Sequence, residues 1–411
     1  MKCLIENFHN SSDMSREQLL VITERYWPDG SGGELATHLI IDILRKEKAL
    51  EITVITGSRN PMRLPDVRYI YEPLLSVEGK PLLWLNVSRL IRRGEFRKIL
   101  QESDIVYVPG FMFPIIPYAK NMGKRVIVHL HGYAPISYTA VILAPYEEHK
   151  HKITHDDIRL ECMMDAKHCI SVSLLWWLPM LIKKWVSQAD KIICVSKRQA
   201  DIITDLVPEL AGKIKIIYNP LPSELMNANI NKEIDDVPTF LYTGGDAYVK
   251  GFHIVASIIR RWRSKARFIL TKISNREVAN TLSRLSDESK KIEVYPKLSR
   301  AEFIKLYSRS WAFLFPSIFE EPLPYAVIEA ALSKVIPITF QVGGISEMVK
   351  GTFTENFITD VYNIKQFIEK MYFISSLSPS DIITLGDKIR NDILKKFNVE
   401  TIKNNLIKEF L

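Results

Sequence analysis

Residues 315–337 read FPSIFEEPLPYAVIEAALSKVIP. The stretch begins where one apolar run ends, WAFLF at 311–315, and closes inside another, VIPIT at 335–339. Between them Pro324 suits the first turn of a helix, where its missing N–H costs nothing. The residues that follow continue the helix to about Lys334. A short apolar run, a helix and a second run make one βαβ unit of a parallel sheet. Two carboxylates stand out. Glu321 lies in the loop before the helix, and Glu329 lies inside it, eight positions later. Glu320 or Glu321 offsets the positive helix end. Glu329, in the run YAVIEAAL, faces burial, and a buried carboxylate needs donors, which sugar or ribose hydroxyls supply. Pro322 and Pro324 carry no N–H, so the amides left to cradle a phosphate are those of Leu323, Tyr325 and Ala326.

The same rhythm extends both ways. Before residue 218 the runs are LLVIT (19–23), ITVIT (52–56), VRYIY (67–71), DIVYV (104–108), RVIVH (125–129), KIICV (191–195) and KIKII (213–217). After it come TFLYT (239–243), RFILT (267–271) and KIEVY (291–295), then the two quoted above. None alternates strictly between polar and apolar, as expected of strands buried on both faces. Helical stretches between them predict right-handed crossovers. YNPLPSELMNANINKEIDDVP at 218–238 reads as a linker. The expected organisation is a polar extension at 1–13, an α/β domain at 14–218, a second at 219–385 and a basic helical tail at 386–411. Residues 133–187 break the rhythm and read as an irregular insertion.

The chain has 411 residues, enough for two or three domains, and a net charge of +8. That excess suits anionic small substrates or an anionic membrane surface. RRWRSKARF at 260–268 has no nucleic-acid motif beside it, so no nucleic-acid partner is expected. No apolar run reaches the length of a membrane span, and the N-terminus lacks the apolar core of a signal peptide. Cys3, Cys162, Cys169 and Cys194 form no CxxC pair, which suits a reducing, cytoplasmic location. The histidines and cysteines between 149 and 169 fit no zinc-finger spacing, so no metal is expected. SLLWWLPMLIKKWV (173–186) fits a core helix and also an interfacial one, and RLIRRGEFRKIL (89–100) adds a second basic face, so a membrane-associated surface stands against plain solvated faces.

Three further loops carry chemistry. PDGSGGE at 28–34 places Gly32 and Gly33 before a helix N-terminus, where a ligand approaches the backbone closely, although a plain turn reads the same. In HLHGYAP at 129–135, His129 continues the strand. His131 falls past its end, where open α/β sheets hold ligands. A structural histidine is the alternative. TGGDAYVKG at 243–251 sets Gly244, Gly245 and Lys250 before a helix, a phosphate site or a solvated loop.

This ordered series, together with ADKIICVSK (189–197), KIIYNP (215–220) and VGGISEMV (342–349), resembles the retaining nucleotide-sugar glycosyltransferases of family four. These are the group 1 glycosyltransferases with the GT-B fold, two Rossmann-like domains with parallel sheets facing a central cleft. The resemblance covers about residues 17–400. It implies a C-terminal domain that binds a nucleotide-diphosphate sugar and an N-terminal domain that binds a glycan or lipid-linked acceptor. The C-terminal helix would pack back onto the N-terminal domain. His131, Glu321 and Lys250 would be catalytic: His131 near the reacting carbon, Glu321 on the donor sugar hydroxyls, Lys250 on the departing diphosphate. Gly32, Gly33, Gly244, Gly245, Leu323, Tyr325 and Ala326 would line the donor site, and Glu329 would bind the ribose. Neither metal nor cofactor is implied beyond the donor itself, because fixed cations and amides take the leaving-group charge.

Two positions depart from the family. Gly245 stands where members carry an arginine that shares the diphosphate with the lysine, a contact worth ~2–4 kcal/mol in the transition state. Pro324 stands where members tend to have glycine. The alternatives are a nucleotide-sugar epimerase or a pyridoxal-dependent phosphorylase of the same architecture, and a non-catalytic nucleotide-sugar-binding protein.

Overall fold

A computed structural model describes residues 16–411. The extension at 1–13 lies outside the described residues. The first sheet contains β1 (Glu17–Thr23), β2 (Leu50–Thr56), β3 (Val67–Tyr71), β4 (Ile105–Val108), β5 (Arg125–Leu130), β6 (Lys191–Cys194) and β7 (Ile214–Ile216). Their order is β3-β2-β1-β4-β5-β6-β7, and every pairing is parallel. The second sheet contains β8 (Thr239–Tyr242), β9 (Ala266–Leu270), β10 (Lys290–Val294), β11 (Ala312–Phe315), β12 (Ile336–Phe340) and β13 (Ile358–Thr359). Its order is β10-β9-β8-β11-β12-β13, again parallel. The two α/β layers are those of a GT-B protein.

The lack of alternation in the strand sequences has its cause here. Consecutive residues Leu19, Leu20, Val21 and Ile22 are all at most 1% exposed, so both faces of β1 are covered. Each such side chain contributes roughly 1.5–3 kcal/mol of burial. In the first sheet the chain runs outward from β1 and then returns to β4. In the second it does the same from β8 to β11. Ligands of open α/β sheets sit at such reversals, beyond the carboxyl ends of the strands. The glycine loop follows β1, TGGDAYVKG follows β8, and FPSIFEEPLP follows β11. Topology therefore gathers the motifs.

The irregular insertion is helical, with helices at Tyr146–His149, Ile153–Met164, Ala166–Leu175 and Leu178–Val186. Asp157 anchors it by accepting from Ser137 Oγ at 2.7 Å and from the Tyr138 N–H at 2.7 Å. Cys162 and Cys169 are joined by a disulfide, which departs from the reading of the cysteines as thiols. The segment 218–238 is packed: Leu221, Leu225 and Ile230 are buried in the core. The helix Pro379–Lys396 lies against the helix Tyr325–Leu332 of the second domain. The last helix, Val399–Phe410, packs on the first. Phe410 meets Tyr107 edge-on at 5.1 Å, and Lys191 pairs with Glu409 at 2.7 Å. Tyr218 and Phe397, on the two connecting segments, touch ring to ring at 5.4 Å.

Candidate active site

The loops after β8 and β11 meet at Lys250 and Glu321. Lys250 Nζ donates to Glu321 Oε1 at 2.7 Å, and Ser317 Oγ donates to the same oxygen at 2.8 Å. The ammonium also lies 4.6 Å from the centre of the Phe319 ring. Gly251 makes this possible. Its φ is +78°, and a Cβ there would collide with the carbonyl of Pro316. A Cβ on Gly244 would likewise run into the Tyr242 hydroxyl and Lys250. The Lys250–Glu321 pair thus depends on close backbone approach between two loops.

Glu329 is buried in the helix Tyr325–Leu332, as its apolar neighbours predict. Its donor comes from the chain itself: Arg300 Nη1 binds Glu329 Oε1 at 2.6 Å, while Arg300 Nε binds Glu224 at 2.5 Å. A donor to the buried carboxylate is thus already present without ligand hydroxyls. Burial raises the Glu329 pKa, and the Arg300 guanidinium opposes the rise. Leu323 and Tyr325 are buried at the start of the helix, with Ala326 partly exposed beside them. Tyr325 donates its hydroxyl to the Pro220 carbonyl at 2.7 Å.

Glu320 does something different from capping a helix. It is 2% exposed and joins the domains. Its Oε1 accepts from the Tyr146 N–H at 2.8 Å and from Arg198 at 3.0 Å. Its Oε2 accepts from the Gly343 N–H at 2.8 Å. Beside it, Ala144 N–H donates to the Ile318 carbonyl at 2.9 Å and Glu320 N–H to the Ile142 carbonyl at 2.8 Å. The insertion of the first domain is therefore bonded to the β11 loop of the second.

Across the cleft, the glycine loop touches both halves of the site. A Cβ on Gly33 would stand 3.3 Å from the His131 ring, and one on Gly32 would stand 3.2 Å from the Tyr325 ring. Glu34 and Ser31 form a capping box that holds the loop onto its helix. His131 stacks on His129 at 4.2 Å, and His129 shares a 2.8 Å hydrogen bond with the Tyr107 hydroxyl. Burial pushes the His131 pKa down to about 4, so the ring is neutral at pH 7. Glu24, just past β1, was not singled out in the sequence. It accepts from the Phe111 N–H at 3.0 Å, and burial pushes its pKa up to about 7. Gly245 has φ +67° and no side chain to offer. Among the described residues no group of three His, Cys, Asp or Glu is arranged to hold a metal ion.

Two family models tile the chain. Glycosyltransferase Family 4 matches residues 31–225, and Glycosyl transferases group 1 matches residues 227–381. The chain belongs to this glycosyltransferase family. Solved structures share its fold at low identity. Anabaena Alr3699/HepE, in complex with UDP-glucose, is 16% identical with a TM-score of 0.62, covering 96% of this chain and 99% of that one. The lipopolysaccharide outer core galactosyltransferase WaaB is 17% identical with a TM-score of 0.62, covering 96% and 100%. The trehalose-6-phosphate synthase OtsA is 11% identical with a TM-score of 0.65, covering 96% and 98%. No curated protein sequence matches the chain. The glycosyltransferase thus places its two Rossmann-like layers so that the family's ordered motifs converge on one cleft.

Proposed function

We propose that this glycosyltransferase moves a sugar from a nucleoside-diphosphate donor to a hydroxyl of a glycan or lipid-linked acceptor, with retention of configuration and without a metal. The observation that carries the reading is the 2.7 Å pair of Lys250 and Glu321 beside the helix that bears Glu329. Residues 219–385 hold the donor, and residues 14–218 hold the acceptor. Lys250 takes up charge on the departing diphosphate. Glu321 accepts hydrogen bonds from the donor sugar. Glu329 accepts from the ribose while the Arg300 guanidinium, 2.6 Å away, opposes the pKa rise caused by burial. The Leu323, Tyr325 and Ala326 amides face the phosphates. Neutral His131 contacts the sugar from the opposite wall, beside Gly32 and Gly33.

The test is calorimetric titration with UDP, GDP and ADP in the presence of chelator. UDP comes first because the HepE structure holds UDP-glucose. One nucleotide binds saturably, and Glu329→Ala weakens it by about tenfold or more, as expected for a lost charged hydrogen bond. Absence of binding by all three overturns the reading. Proton NMR of the product, made with the matching sugar nucleotide, reports its anomer, and an inverted product removes retention.

The acceptor side supports a lipid-linked substrate. Met164, Ile170, Leu174, Trp176 and Met180 are exposed on the insertion helices, with Lys184 beside them. No single helix among the described residues is long and apolar enough to cross a membrane. The pair Ala166–Leu175 and Leu178–Val186 passes that test only jointly, bent by 57°. A bent apolar pair next to basic residues suits the lipid interface rather than its interior. The protein floats with vesicles containing anionic lipid at low salt. Leu174→Glu with Met180→Glu abolishes flotation, and a protein that stays in the pellet fraction at low salt rules out this surface.

A further inference from the structure

The site holds one cation less than the family pattern requires, and the loop after β9 has one to give. β8 and β9 are paired with Tyr242 opposite Leu270, so their following loops run side by side. The Thr271 N–H donates to the Tyr242 carbonyl at 3.0 Å and continues the ladder. Next comes Lys272. A Cβ on Gly245 would stand 2.9 Å from the Lys272 carbonyl oxygen and 3.5 Å from the Lys272 Cβ. The φ of +67° at Gly245 also disfavours a side chain. An arginine at 245 is therefore strained on this backbone, and the side chain of Lys272 starts 3.5 Å from where its Cβ would stand.

Lys272 itself has φ +63°, an uncommon conformation for a residue with a Cβ. Its neighbours' charges are taken: Lys250 binds Glu321, and Arg300 spans Glu329 and Glu224. Lys272 has no ion pair and no side-chain hydrogen bond among the described residues. Lys272 is exposed to solvent, and the partial desolvation of its ammonium lowers its pKa from the ordinary value. Glu329 pulls the other way, while Lys250, Lys297 and Arg300 add like-charge repulsion. An unpaired cation on the loop that abuts Gly245 is what a doubly charged ligand would neutralise.

We propose that Lys272 supplies the second positive charge on the donor diphosphate, in place of the arginine absent at Gly245. The assignment rests on the donor-site reading above. Lys297, exposed like Lys272 but one strand further from β8, is the control.

The experiment titrates the full chain with UDP and UMP, GDP and GMP, and ADP and AMP, at two salt concentrations. Lys272→Ala weakens the preferred nucleoside diphosphate by about tenfold, equal to about 1.4 kcal/mol, and its monophosphate by less. Lys272→Arg keeps the diphosphate affinity within about threefold, and Lys297→Ala leaves it unchanged. Unchanged diphosphate affinity in Lys272→Ala overturns the proposal. So do equal losses for both nucleotides, which would mark a lysine that only shapes the loop. If Lys250→Ala and Glu329→Ala weaken binding and Lys272→Ala does not, the donor site stands and Lys272 is excluded. If the unaltered protein binds no nucleotide, both fall together.

Discussion

Glu321→Ala lowers the rate of sugar transfer by about 100- to 1000-fold, the usual loss when one preorganised group is taken from a transition state. Nucleoside-diphosphate affinity changes little. The separation follows from position. Glu321 sits in the β11 loop and is buried, accepting from Lys250 at 2.7 Å and Ser317 at 2.8 Å. Glu329, on the helix beyond, is the residue proposed for the ribose contact. On the proposed function, removing Glu321 takes away acceptors for the donor sugar but leaves the ribose contact and the amides. It also releases Lys250 from its carboxylate, which offsets part of any loss in diphosphate binding. Steady-state transfer, measured beside calorimetric binding, reads the two effects separately. Turnover unchanged by the substitution would remove Glu321 from the reacting centre.

Its neighbour behaves in the opposite way. Glu320→Ala destabilises the fold by about 3–5 kcal/mol, the cost of breaking a buried ion pair on one side only. Two backbone N–H groups, on Tyr146 and Gly343, lose their acceptor. Arg198 keeps Glu147 at 3.0 Å but loses its buried partner. Glu320→Gln retains one acceptor oxygen and falls between the two. Differential scanning calorimetry reports the change as a melting temperature lowered by several degrees. Because the lost bonds join two domains, the transition also becomes less cooperative. A melting curve identical to that of the unaltered protein would show that the network contributes nothing net. Adjacent carboxylates therefore answer to different assays, Glu321 to rate and Glu320 to stability.

The contrast marks where the sequence stops being readable. Twelve strands were legible as short runs rich in β-branched residues, unbroken in interior strands such as β1, where Leu19–Ile22 are buried on both faces. β13 was not, because Ile358 and Thr359 are too short a run to show a period. The burial of Glu329 was legible from its apolar neighbours, but its partner was not. Arg300 lies 29 residues away on another helix, and nothing local points from one to the other. Glu320 was misread as a helix-end charge because its partners lie 122 and 174 residues distant. Lys272 was invisible for a related reason. Only the pairing of β8 with β9 sets it beside Gly245. Motifs within one loop are carried by the sequence, whereas contacts between loops belong to the topology.

The chain passes between its two layers twice, and the passages lie side by side where Tyr218 meets Phe397 at 5.4 Å. A single connecting segment would act as a swivel, leaving one layer free to spin on the other. Two adjacent segments act as a strap, which bends readily in one direction and resists torsion. Opening the cleft to admit a donor is then a rocking motion with its fulcrum at these two rings. The β11 loop and the glycine loop return to the same register at each closure.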